Sequence, residues 1–134
     1  MTELVLDCSA VLAWFFEDER DPDALRLMDA LADTRARVPA IWPFELANAA
    51  LMAERRGRLK PDTIAEGFGA MEALDIVVEP AATVAGEALA LARAHRLTVY
   101  DAAYLALAQR RGLPLATRDT HLRKAARAAG VILF

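Results

Sequence analysis

Short apolar runs that alternate with longer stretches of helical period constrain this chain more than any other feature. Leu4-Val5-Leu6 reads as a buried strand. Ser9 is placed to cap a helix from Ala10 to about Phe16, followed by an acidic loop from Glu17 to Asp21. Pro22 suits the start of a second helix, which reaches about Asp33. Arg37-Val38-Pro39 is a short strand. Trp42 to Arg56 reads as a helix closed by Gly57, and Pro61 to Leu74 as another, weakened by Gly67 and Gly69. Ile76-Val77-Val78 is a β-branched strand ending at Pro80. Thr83 to Arg96 and Tyr100 to Arg111 are helices rich in Ala and Leu. Leu115-Ala116 is a strand, Arg118 to Ala129 a helix stopped by Gly130, and Val131-Ile132-Leu133 a last strand. Such alternation gives an α/β fold with a mostly parallel sheet covered on both faces. Ligands of these sheets bind beyond the carboxyl ends of the strands.

The chain has 134 residues, which suits a single domain over 1–134. Hydrophobic residues make up 56%, and 30 of them are Ala, so the helices can pack closely. The single cysteine, Cys8, excludes an internal disulfide or a cysteine-based zinc site. The longest stretch without Asp, Glu, Lys or Arg runs from Cys8 to Phe16, 9 residues, too short for a membrane span. Met1-Thr2-Glu3 is acidic where a signal peptide is basic, so the cytoplasm is the expected compartment. The net charge of −3 is uneven. Residues 1–80 hold 16 acids and 8 bases, whereas residues 81–134 hold 3 acids and 8 bases. The overall sign therefore says little about an anionic partner.

Four acids fall where the topology brings strand ends and helix starts together. Asp7 directly follows the first strand, and Asp119 follows Leu115-Ala116 and Thr117. Glu45 lies in the first turn of its helix, and Asp101 opens the helix after Leu97-Thr98-Val99. Taken singly, Asp101 and Asp119 also read as residues that cap a helix or complement its dipole, worth roughly 0.3–1 kcal/mol. Asp7 is harder to explain that way, because an unpartnered carboxylate at the end of a buried strand costs several kcal/mol. Glu45 sits in Trp42-Pro43-Phe44-Glu45-Leu46-Ala47, an apolar setting. If these carboxylates converge, their repulsion calls for a cation. Oxygen donors suit Mg²⁺ or Mn²⁺, and the chemistry such a site supports is phosphodiester hydrolysis.

Taken together, these residues resemble those of PIN-domain ribonucleases, specifically the VapC-type toxins of bacterial VapBC toxin–antitoxin systems. The resemblance rests on Leu4-Val5-Leu6-Asp7-Cys8-Ser9-Ala10, on Glu45-Leu46-Ala47-Asn48, on Tyr100-Asp101-Ala102-Ala103-Tyr104-Leu105-Ala106-Leu107-Ala108, and on Leu115-Ala116-Thr117-Arg118-Asp119. The pattern asks for an acid at Asp7, Glu45, Asp101 and Asp119, and the chain departs from it at none. The resemblance implies a three-layer α/β/α PIN-like fold with a central sheet of about five strands. It implies a Mg²⁺- or Mn²⁺-dependent endoribonuclease that acts on tRNA or rRNA and arrests growth. It also implies a homodimer and a cognate VapB-type antitoxin. By carry-over, Asp7 and Asp101 ligate the metal directly, Asp119 acts through water, and Glu45 ligates or positions water. Ser9 and Thr117 supply hydroxyls near the site, and Asn48, three residues after Glu45, is placed to orient it.

Several residues carry a bland reading beside a functional one. Cys8 reads as a small buried residue, with its side chain opposite to that of Asp7 on a strand. Trp14-Phe15-Phe16 and Trp42-Pro43-Phe44 read as core, or as a patch for a partner chain. Basic residues near the end of the chain read as dipole partners or as an RNA phosphate track, for which Arg118, Arg123 and Lys124 are the choices. Two other functions compete with this reading and fit the residues less well. A haloacid-dehalogenase-type phosphatase would need a second Asp where Ser9 stands. A non-catalytic module would use the same acids to bind a metal or a basic partner.

Overall fold

The computed structural model describes residues 3–134; Met1 and Thr2, part of the acidic N-terminus, lie outside them. The chain forms β1 (Glu3–Leu6), α1 (Cys8–Leu12), α2 (Pro22–Leu31), β2 (Arg35–Pro39), α3 (Trp42–Arg55) and α4 (Pro61–Glu72). It continues through β3 (Ile76–Glu79), α5 (Ala81–His95), α6 (Val99–Arg111), β4 (Leu115–Ala116) and α7 (Thr120–Ala128). Short 3-10 turns at Ala13–Phe15 and Glu17–Glu19 join α1 to α2. The helix expected to run to Phe16 thus tightens after Leu12, and the acidic loop begins with a 3-10 turn.

The sheet has four strands in the order β3-β2-β1-β4, and every pairing is parallel. Leu4, Val5 and Leu6 are fully buried, as expected of a central strand covered on both faces. The expected last strand is reduced to a single parallel bridge between Leu115 and Leu133. Ile132 is 74% exposed, so this end of the sheet is only lightly covered. The sheet grows from β1 outward through β2 to β3, then returns to place β4 on the other side of β1. The switch in direction lies between β1 and β4, the place beyond the strand ends where such sheets bind ligands.

Helix α6 packs across β1 and β2, and α5 packs along α6. Ala88 and Ala92 on α5, with Ala102, Ala106 and Ala108 on α6, are buried, which is where the alanine-rich composition is used. Gly67 of α4 lies against the Phe15 ring so closely that an added Cβ would stand 1.9 Å from a ring carbon. A helix-weakening residue is kept there because nothing larger fits. Helix α5 ends on Arg96, which adopts the left-handed conformation with φ 55°.

Charge within the fold is paired. Arg37 on β2 donates to Glu3 at 3.0 Å and to Glu79 at 2.8 Å, and Arg111 of α6 lies 2.6 Å from the same Glu79 oxygen. These bonds let Glu79 be buried at the end of β3.

Candidate active site

Registry across the switch point sets the first part of the site. Leu6 pairs with Ala116, and the Asp7 N–H donates to the Ala116 carbonyl at 3.0 Å, so Asp7 and Thr117 leave adjacent strands side by side. Both are nearly fully buried, Asp7 at 6% and Thr117 at 3% exposed. The Thr117 hydroxyl donates to Asp7 Oδ2 at 2.6 Å, and the Ser9 hydroxyl donates to the same oxygen at 2.7 Å. Each hydroxyl in turn accepts a backbone N–H: Ser9 from Arg118 at 2.9 Å and Thr117 from Asp119 at 3.1 Å. Ser9 does not cap α1 as expected. Asp7 already occupies the capping position, and Ser9 falls inside the helix with its hydroxyl turned back to Asp7. Cys8 opens the helix instead of extending the strand, so strand alternation does not set its direction.

Helices α3 and α6 supply the second part. Glu45, in the first turn of α3, accepts a 2.6 Å hydrogen bond at Oε1 from the hydroxyl of Tyr104 on α6. Tyr104 is wholly buried. Asp101 stands three residues before Tyr104 on α6, hence on the same face. The cap of α6 is Thr98, whose hydroxyl accepts the Asp101 N–H at 3.0 Å, so Asp101 is not spent on capping. Asp119 does cap: its Oδ1 accepts the Leu122 N–H at 2.9 Å at the start of α7.

The carboxylates feel one another. Burial pushes the Asp7 carboxyl above its ordinary range; the hydroxyls of Thr117 and Ser9 oppose the rise, and the Asp119 charge adds to it. Burial likewise raises Glu45, against the Tyr104 bond and with help from the charges of Asp7 and Asp101. Asp101 is raised by burial and then by Asp119 and Asp7. Burial and the same negative field raise the Cys8 thiol, which keeps it from acting as a thiolate nucleophile.

The donor set is one of oxygens only, which suits a hard divalent cation. Among the described residues, no three His, Cys, Asp or Glu side chains stand close enough to grip one ion together. Mg²⁺ does not need such a cage, since it keeps several waters and takes one or two carboxylates with substrate phosphate oxygens. The residues therefore fit the group by chemistry and by coupled charge.

The residues around these acids fall differently from expectation. Asn48 is exposed and makes no hydrogen bond to Glu45 among the described residues; the buried Tyr104 holds that carboxylate instead. Arg118 grips both oxygens of Asp21 at 3.1 and 2.8 Å, and its guanidinium holds the Asp21 carboxyl down to about 2. Arg123 donates to the Thr117 carbonyl at 2.9 Å, while Lys124 is exposed on α7. Arg118 and Arg123 border a groove of about 310 Å³ that also touches Thr117, Arg26 and Phe134. Trp14, Phe15, Phe16 and Trp42 are core, but Phe44, next to Glu45, is 75% exposed. Tyr104 was not singled out from sequence. Its one sequence signal is the spacing of three from Asp101 on one helix face.

Comparison with known proteins places the fold and the family. The PIN domain family profile matches residues 4–128. The chain is 36% identical over 125 residues to the ribonuclease VapC3 of Pyrobaculum aerophilum, covering 90% of this chain and 92% of that protein. The crystal structure of PAE2754 from Pyrobaculum aerophilum superposes with a TM-score of 0.72 at 22% identity, covering 98% of this chain and 83% of that one. A toxin–antitoxin complex from Klebsiella pneumoniae superposes with a TM-score of 0.60 at 19% identity, covering 87% of each chain. Among the described residues no helix is long and apolar enough to cross a membrane.

Proposed function

The chain belongs to the PIN-domain family, and from that premise we propose that it is a metal-dependent endoribonuclease, the toxin of a type II toxin–antitoxin pair. On this reading residues 1–134 act as one PIN domain in the cytoplasm. They hydrolyse phosphodiester bonds of tRNA or rRNA and thereby arrest growth. The observation that carries the reading is Asp7. A carboxylate buried at the switch point, held by two hydroxyls and opposed by the Asp119 charge, is costly to the fold and is put to use by a cation. The 36% identity to a ribonuclease VapC supports the substrate class.

Asp7 and Asp101 would hold a Mg²⁺ or Mn²⁺ ion, with Glu45 completing the site and Asp119 reaching it through water. When bound, the ion supplies charge neutralisation at the phosphate and a lowered pKa for its water. The chain's own groups do the rest. Ser9 and Thr117 keep Asp7 Oδ2 occupied, which holds that carboxylate in a single orientation. The backbone N–H groups of Arg118 and Asp119, drawn onto those hydroxyls, fix the turn between β4 and α7. Lys124, exposed and without an ion pair among the described residues, would offer its cation to an RNA phosphate. Arg118 and Arg123 do so once they exchange Asp21 and a carbonyl for phosphate oxygens.

A VapB-type antitoxin and a second copy of the chain are the proposed partners. The Klebsiella pneumoniae fold relative was solved as a toxin–antitoxin complex, which supports the first. The purified protein is tested on total bacterial RNA, with cleavage products mapped at their 5′ ends. Cleavage at discrete sites is expected, with Asp7→Asn and Asp101→Asn inactive. Wild-type rates in either variant overturn the site assignment. Induced expression in a bacterial host should arrest growth, and Asp7→Asn should not.

A further inference from the structure

We infer that Tyr104 is a positioning residue for Glu45: its buried hydroxyl pins one oxygen of that carboxylate and leaves the other for a cation or its water. The inference rests on the proposed cation site. Its basis is geometric. The phenol hydroxyl, 0% exposed on α6, donates to Glu45 Oε1 at 2.6 Å across to α3. No other side chain among the described residues hydrogen-bonds Glu45. The same turn of α6 carries Asp101, so one helix face both presents an acid and orients a second acid on its neighbour. Glu45 has three side-chain torsions and stands in a first turn with no cap bond. Without a partner it would sample several rotamers, and each misplaced rotamer weakens a site held by few carboxylates.

The same device recurs at the other buried acid. Asp7 Oδ2 is pinned by Thr117 and Ser9, just as Glu45 Oε1 is pinned by Tyr104. Each of these carboxylates is held at one named oxygen by a hydroxyl that can only donate to it. A hydroxyl donor suits the task better than a cation, because it orients the carboxylate without neutralising it. An Arg or Lys in the place of Tyr104 would compete with the metal for charge.

The test titrates Mn²⁺ alone into EDTA-stripped protein and follows the free ion by electron paramagnetic resonance. The wild type, Tyr104→Phe, Glu45→Gln and the double variant are compared, with initial rates on total bacterial tRNA as a second readout. Tyr104→Phe is expected to weaken Mn²⁺ binding on the order of 10-fold, with an unchanged far-ultraviolet spectrum. The same change is expected to add nothing in the Glu45→Gln background. Tyr104→Phe protein that binds Mn²⁺ as the wild type does overturns the inference. So does a loss of equal size with and without the Glu45 carboxylate. If Tyr104→Phe fails to fold, Glu45→Asp draws the carboxylate back from the fixed hydroxyl and leaves the core intact. Wild-type Mn²⁺ affinity in Glu45→Asp also overturns the inference. Wild-type protein that neither takes up Mn²⁺ nor cuts tRNA overturns the proposed activity itself, a result separable from an unaltered Tyr104→Phe.

Discussion

Replacing Thr117 by Val removes one hydroxyl and almost no volume, so its effect isolates the hydrogen bonds around Asp7. Thr117 donates to the buried Asp7 carboxylate at 2.6 Å and accepts the Asp119 N–H at 3.1 Å. A hydrogen bond to a charged group contributes about 1.5–3 kcal/mol, and an ordinary one about 1 kcal/mol. The Asp119 N–H is part-buried and regains water in part, and Ser9 continues to donate to Asp7. The expected loss in metal-free protein at pH 7 is therefore about 2–3 kcal/mol. Urea unfolding at constant m-value measures it directly. The pH dependence gives a second check. Burial raises the folded pKa of Asp7, so the stability tied to this group is fully present below the ordinary carboxylate pKa. It is lost as pH rises through the folded value. Removing Thr117 raises that folded value further and deepens the loss at neutral pH. The difference between wild type and variant should thus shrink on acidification, as Asp7 takes up its proton in both. A loss below about 0.5 kcal/mol at pH 7, or one that does not shrink on acidification, would mean that Thr117 does not hold the Asp7 carboxylate.

Other perturbations follow from the same contacts. Asp7→Asn removes the buried charge, so in EDTA at pH 7 calorimetry should give a higher midpoint than wild type. The gain should shrink on acidification, and a lower midpoint at pH 7 would contradict it. Gly67→Ala drives a methyl into the Phe15 ring, and denaturant unfolding should show a loss of about 1–3 kcal/mol; a neutral result would mean that the ring moves freely. Arg96→Gly relieves the left-handed residue that ends α5 and should stabilise by up to about 1 kcal/mol in the same assay.

What the sequence made legible was local. Apolar runs and turn residues located the strands of the sheet, and parallel topology led to Asp7 and Asp119 at one edge, whereas Thr117 came from the family resemblance. What it hid was partnership across long separations. Tyr104 and Glu45 lie 59 residues apart, and Arg118 and Asp21 lie 97 apart. Nothing in either local pattern marks the pairing. Sequence reasoning therefore offers Arg118 to an RNA phosphate with no sign of its Asp21 partner, and the spacing from Glu45 points to Asn48 because it considers one helix only. The capping reading of Ser9 fails for a different reason, although its hydroxyl does stand at Asp7 as the resemblance implies. Capping statistics favour a hydroxyl before a helix, but Asp7 took that place and drew Ser9 inward. The expected last strand failed because its β-propensity had only Leu115 to pair with, through a single bridge.

We propose that the acids at the switch point cleave RNA with the help of a divalent cation. The most direct measurement is cleavage of total bacterial RNA by EDTA-stripped protein, before and after Mg²⁺ or Mn²⁺ is restored, alongside Asp101→Asn. No cleavage is expected without the ion, recovery with it, and none in the variant under either condition. Cleavage that persists in EDTA at the restored rate, or an Asp101→Asn protein that recovers with the ion, would contradict the proposal.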